Sequence, residues 1–200
     1  KWFSDNGFKV MGATAGQTRW NLMPLDQSNT KNIRDFALIS IGNKADGLLL
    51  TLWDDDSPHF ELYQRGISIF AEYTWAGEKR TTDELHAAFR QRAIGPNVAD
   101  EEMEFINRLE EPVAFWKNAL LNQRQDRNRL RAGDNQMEEA LISLPDLDSV
   151  GVWTKKYQDK VEKAEANLAK VDSVLQVIQE SKKLAVRNNY TLEVYEQVAQ

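Results

Sequence analysis

Cysteine is absent from this 200-residue chain, so disulfides and thiolate metal sites are excluded. Histidine is scarce, with His59 and His86 the only two. There is no HExxH pair, no serine nucleophile elbow and no glycine-rich phosphate loop, and Gly12 and Gly16 do not make a dinucleotide fingerprint. Positive charge is also short. The chain has 25 Lys and Arg against 31 Asp and Glu, a net charge of -6. A pI near 5.1 argues against a nucleic-acid or anionic-membrane partner, since both reward clustered positive charge. No apolar run approaches the roughly 18 residues of a membrane span. The composition calls for no cofactor and no metal. It does not identify the compartment; a periplasmic or secreted protein is the expectation, ahead of a cytoplasmic one.

What is present is ordinary globular material: 42% hydrophobic and 28% charged residues, enough for one domain or two small ones. Two zones differ in pattern. Residues 1–95 alternate strand-like and helix-like segments; residues 96–200 are almost wholly helical in pattern. In the first zone Gly7 reads as a helix stop, Phe8 to Ala13 as a strand, and residues 14–29 as a long loop. Thr30 to Ile41 reads as a helix capped by Asn29 or Thr30. Leu48 to Trp53 is a second apolar strand, followed by a helix that opens at Pro58 and stops at Gly77. Its apolar residues Leu62, Ile67, Ile69, Phe70, Tyr73 and Trp75 cover more than one face, which predicts a well-packed helix. Strands apolar throughout are expected to be covered on both faces and parallel. Two such units cannot close a barrel or bury their own edges. They make a small open sheet or the last quarter of a (β/α)8 barrel.

Thr81 and Glu84 offer a capping box, and Gly95 with Pro96 marks a boundary. Beyond it, Phe105, Leu109, Val113, Trp116, Leu120 and Leu121 form an apolar stripe that Pro112 is expected to kink or split. Lys155 to Leu184 reads as one long helix. Its seam comprises Tyr157, Val161, Ala164, Leu168, Val171, Leu175 and Ile178, as in an antiparallel bundle. Thr191 is the expected cap of a last helix carrying Leu192, Val194, Tyr195 and Val198.

The run from Gly47 to Gly77 is the most informative. An apolar strand ends in Trp53 and three carboxylates, Asp54, Asp55 and Asp56, and a helix follows at once. Barrels present their chemistry at the C-terminal ends of parallel strands. An aromatic ring beside carboxylates suits a sugar, whose C–H face packs on the ring while its hydroxyls donate to the acids. The plainer reading of the acids is a solvated loop that caps the next helix. Trp20, mid-loop between Arg19 and Asn21, either plugs the loop onto the fold or lines a pocket. His86 reads as an inert helix residue and His59 as a first-turn residue. Glu72 reads as a buried acid paired with Arg65 or Arg80.

These residues carry a family likeness. Trp53-x-Asp55 at a strand end, followed by a helix with Phe70, Ala71, Glu72, Trp75 and Gly77, resembles the end of the catalytic barrel of family 20 glycoside hydrolases, the β-N-acetylhexosaminidases. The likeness is to the bacterial branch with an α-helical domain after the barrel. The Trp20 to Pro24 loop resembles that branch's Trp-bearing loop after strand seven. The likeness covers roughly residues 8–80. It implies strands seven and eight of the barrel within residues 1–95 and an α-helical domain in 96–200. It implies Trp53 as a sugar-subsite wall, Asp55 as the acceptor of hydroxyls at C4 and C6, and Trp20 as a further pocket wall. The family's catalytic Asp-Glu pair lies at strand four, so the resemblance places no catalytic residue in this chain. The implied partners are an N-acetylhexosamine-containing glycan, the remainder of the barrel and a homodimer through the helical domain. The implied chemistry is removal of terminal N-acetylhexosamine by a substrate-assisted retaining mechanism. A non-enzymatic helical interaction module, or part of another sugar-acting barrel, is the alternative.

Overall fold

The computed structural model describes residues 2–16, 22–53, 59–120 and 141–200. The described residues are mostly helical, with one small parallel sheet. A short helix α1 (Trp2–Asp5) precedes β1 (Met11–Ala15); α2 (Asp26–Gly42) follows, then β2 (Gly47–Thr51). β1 and β2 pair in parallel, Met11 opposite Gly47 and Ala15 opposite Thr51.

The parallel pairing is the one expected, but both strands are shifted. β1 begins three residues later than Phe8, because the Val10 amide and carbonyl are both held by Asp46: Val10 N donates to Asp46 Oδ2 at 2.7 Å and Asp46 N to the Val10 carbonyl at 2.8 Å. β2 stops at Thr51, two residues short of Trp53. There the Gly16 amide donates to the Thr51 carbonyl at 2.8 Å and closes the ladder.

The sheet's two faces differ. On one face Thr14 is buried, Leu48 and Leu50 are half-buried, and α2 packs on β1 while the helix Gln64–Ala76 packs on β2. A Cβ on Gly12 would come within 2.7 Å of the Phe36 ring, so glycine there sets how closely α2 approaches. On the other face Met11, Ala13 and Leu49 are open to solvent, Leu49 at 53% exposure. The expectation that both strands are covered on both faces is therefore corrected: the described residues cover one face only.

A 3₁₀ turn (Phe60–Tyr63) leads into α3 (Gln64–Ala76). Leu62, Ile69 and Tyr73 are buried, but Ile67 and Phe70 only partly. Trp75 is 94% exposed, so the predicted all-round packing of this helix fails at its last turn. α4 (Thr82–Ala93) carries the expected capping box: Thr81 Oγ1 accepts from the Glu84 amide at 3.3 Å, and Glu84 Oε2 accepts from the Thr81 amide at 2.7 Å.

The helical stretch after residue 99 is broken into α5 (Asp100–Met103), α6 (Phe105–Arg108) and α7 (Glu110–Asn118). The second break, at Leu109, lies just before Pro112, which sits in the first turn of α7. There a proline lacks the N–H that would bond the Arg108 carbonyl, and the ladder parts just upstream. Of the expected stripe, Phe105, Leu109 and Val113 are buried, while Trp116 and Leu120 are exposed and Leu121 lies outside the described residues.

α8 (Val150–Lys156) and the 27-residue α9 (Gln158–Leu184) replace the single long helix, parted at Tyr157. The α9 seam runs through Asn167, Val171, Val174, Ile178 and Ser181 at spacings of four and three. Val171 and Ile178 were expected there. Ala164 and Leu168 are exposed instead, and Leu175 only flanks the seam. α10 (Asn189–Ala199) packs on α9. It is entered through Asn188 in the left-handed region (φ 53), not capped by Thr191.

Two apolar clusters hold these elements. The smaller joins Ile33 and Ala37 of α2 to Ile69 and Tyr73 of α3 and to Leu85. The larger draws Met23, Leu62 and Ile94 from before residue 96. It packs them against Val98, Phe105, Leu109, Val174, Ile178 and Leu192 from after it. The end of α4 is also tied to the segment before α10. The amides of Val186 and Arg187 both donate to the Ile94 carbonyl, at 3.1 and 3.2 Å. Arg187 Nη1 donates to the Arg92 carbonyl and Asn188 Nδ2 to that of Ala93, each at 2.7 Å. Gly95 makes this possible: its φ is +147°, and a Cβ there would lie 2.6 Å from the Val186 side chain.

Candidate functional site

The C-terminal ends of the two parallel strands form a polar edge. Thr51 Oγ1 donates to the Thr14 carbonyl at 3.0 Å, and Asn32 Nδ2 reaches Thr14 Oγ1 at 2.8 Å and the Ala15 carbonyl at 3.1 Å. Trp53 stands just beyond. Its indole N–H donates to Thr51 Oγ1 at 3.0 Å and its ring is 43% exposed. A tryptophan with its N–H satisfied and much of its ring in solvent presents an apolar face beside hydroxyls, as a sugar platform requires. Asp55 and Trp20, the other two expected sugar contacts, lie outside the described residues, as do Asp54 and Asp56.

The first described residues after those two loops are Leu22 and His59. Both line one open cavity of about 640 Å3 against α10. His59 caps the 3₁₀ turn, its Nδ1 accepting from the Glu61 amide at 3.2 Å. Its Nε2 lies 3.0 Å from the Tyr190 hydroxyl, and Thr191 Oγ1 donates to Glu61 Oε2 at 2.8 Å. Lys182 and Glu196, 2.8 Å apart, face the same space. The described residue before the second loop, Trp53, does not line this cavity, so the structure does not bring it together with His59.

A second polar cluster was not legible as such. Asp26 opens α2 four residues earlier than the expected start. It lies 3.3 Å from Arg65 Nη2 and 3.2 Å from His86 Nε2, and accepts from Thr30 Oγ1 at 3.0 Å. Burial works to raise the Asp26 pKa, but the imidazole of His86, the charge of Arg65 and the Thr30 hydroxyl outweigh it and hold the carboxyl below its usual range. His86 is thus a partly buried partner of an acid, not an inert surface residue. Arg65 pairs with Asp26, which leaves Glu72 to Arg80, 3.5 Å away on a half-exposed helix face. The signal for Asp26 was its place before Ser28, Asn29 and Thr30, where an acid favours a helix N-terminus. Against this cluster packs Tyr195. Burial, with Asp26 adding and Arg65 opposing, pushes its phenol up to about 12.

Among the described residues there is no group of three or more His, Asp or Glu placed to hold a metal ion, and no helix long and apolar enough to cross a membrane. Comparison with family models, with curated proteins and with solved structures found no match to this chain.

Proposed function

We propose that this chain is the C-terminal part of a family-20-like glycoside hydrolase that removes terminal N-acetylhexosamine from glycans by substrate-assisted, retaining hydrolysis. β1 and β2 then serve as strands seven and eight of a (β/α)8 barrel. Trp53 is the wall of the sugar subsite, Asp55 the hydroxyl acceptor and Trp20 a further wall. The catalytic Asp-Glu pair belongs to the remainder of the barrel. The observation that carries the reading is Trp53, exposed beside a polar edge at the C-terminal ends of two parallel strands, where barrels keep their chemistry. The open apolar face of Met11, Ala13 and Leu49 supports it as a surface for the rest of a barrel. So does the place of Leu22 and His59, the first described residues after those loops, on one cavity.

The test is a fluorescence titration with N-acetylglucosamine, before and after Trp53→Phe and Asp55→Ala. Both changes are expected to remove the response, and the purified chain is expected not to hydrolyse an aryl N-acetylglucosaminide. A response that survives both changes, or robust turnover, overturns the reading. A non-enzymatic helical module is favoured by one feature, a groove of about 340 Å3 flanked by the exposed Trp116 and Leu168. Under that reading Trp116→Ala abolishes partner binding or self-association and Trp53→Phe does not.

A further inference from the structure

α9 carries more apolar surface than its neighbours cover. Its sequence repeats apolar residues at spacings of four and three from Tyr157 to Ile178, the pattern of a helix-pairing seam. The row that α9 buries is the adjoining one, Asn167, Val174 and Ser181. The middle of the repeat is open: Ala164 is exposed, and Leu168 is 64% exposed. Beside it runs the groove of about 340 Å3, lined by Phe115 and Trp116 from α7, by Ala164, Leu168 and Val171 from α9, and by Val198 from α10. An apolar groove between two helices, with a heptad stripe on one wall, has the shape that a further helix fills. Ala164 to Val171 spans about 10 Å, or two turns, which matches anchors at i, i+3 or i+4 and i+7 of an amphipathic helix.

The charges along the groove decide which helix. Glu165 and Asp172 flank Leu168 on the side away from the buried row, within about 60° of it around the helix axis. Both are exposed, and neither has an ion pair among the described residues. The lysines of the same stretch do not balance them. Lys163 and Lys170 stand more than about 130° round from Leu168, and Lys170 is held by Glu111. The Lys160 ammonium donates to the carbonyls of Asn118 and Ala119, the latter at 3.0 Å. The solvent edge of the groove is therefore acidic. A second copy of this chain fits it poorly, because a two-fold axis near Leu168 sets Glu165 of each copy against Asp172 of the other, like charge on like. A helix with Lys or Arg beside its apolar stripe meets the stripe and the acids together.

We propose that this groove docks a basic amphipathic helix of a partner protein, its apolar anchors between Trp116 and Leu168 and its cations on Glu165 and Asp172. The proposal sharpens the helical-module reading of the groove and does not depend on the sugar site. The test is fluorescence anisotropy of three labelled peptides of about 18 residues titrated with the full chain. Two share one Leu/Ala stripe at helical spacing and differ in a Lys or Glu polar face; the third is the Lys peptide with its order shuffled. The Lys-faced peptide is expected to bind saturably and at least about tenfold tighter than the other two. Leu168→Glu, at an exposed position, is expected to weaken it by a similar factor with no shift in thermal midpoint. The double variant Glu165→Lys, Asp172→Lys is expected to reverse the preference toward the Glu-faced peptide. Equal binding of the shuffled peptide, equal binding to Leu168→Glu, or no binding up to roughly 1 mM overturns the proposal. So does binding that appears only after Arg124, Arg127, Arg129 and Arg131 are replaced, since the chain's own residues would then be the occupant. A dimer in sedimentation that Leu168→Glu dissolves also overturns it, with a second copy as the occupant, while the helical-module reading stands.

Discussion

The two apolar clusters of this protein are finished to different degrees. The larger buries Ile94, Val98, Phe105, Leu109, Val174, Ile178 and Leu192 almost completely, with helices on several sides. The smaller, around Ile33, Ile69 and Tyr73, is closed toward α2 and α3, while the sheet next to it leaves Met11 and Leu49 in water. A helix needs to bury only one stripe, so a handful of helices can satisfy one another. A parallel strand has two faces and two edges to cover, and two strands with two helices supply cover for one face. The difference locates where the described residues cover one another and where they leave an apolar face open.

That contrast can be broken by mutation. The largest effect is expected at the polar junction between the clusters. Asp26→Asn leaves Arg65 buried without its counter-charge and should destabilise the fold by about 3–5 kcal/mol near neutral pH, read by urea denaturation. The sign of its pH dependence follows from the lowered pKa. The stabilisation is complete above the unfolded value of about 3.8 and is lost as pH falls through the lower folded value. Wild type and Asp26→Asn should therefore converge in acid; a constant gap from pH 7 to pH 2 would show that the charge is irrelevant. Next, Ile178→Ala in the finished cluster should cost roughly 2–5 kcal/mol through lost burial and the cavity left behind. The smallest effect belongs to Leu49→Ser on the open sheet face, expected within about 0.5 kcal/mol in this chain. If Leu49→Ser costs as much as Ile178→Ala, that face is covered in solution and the contrast is wrong.

The order of strand and helix, the capping box at Thr81 and the break near Pro112 were legible because each rests on local chemistry, and the parallel pairing because one helix between two apolar strands leaves little other choice. What was not legible depended on neighbours distant in sequence. The seam of α9 rotated from Ala164 and Leu168 onto Asn167 and Val174, since the helices that set it come from residues 100–118 and 189–199. Trp75 continues an apolar pattern into solvent, because nothing in the sequence announces which helix face lacks a neighbour. Of the candidate site, Trp53 was readable as a strand-end aromatic. The pairing of His86 with Asp26 joins residues 60 positions apart and leaves no local trace.

The tie between Ile94 and the segment Val186–Asn188 has a practical consequence. The last carbonyls of α4 receive their donors from a stretch of chain about ninety residues downstream, through backbone and side chain alike. A truncation that stops before Val186 would therefore remove more than a C-terminal helix. It would leave the end of α4 to fray and would expose Ile94 and Leu62, both buried in the cluster to which α10 contributes Leu192 and Tyr195. In protease footprinting, a nick near residue 185 should be followed by secondary cleavage around residues 90–96, so that two sites far apart in sequence lose protection as one unit.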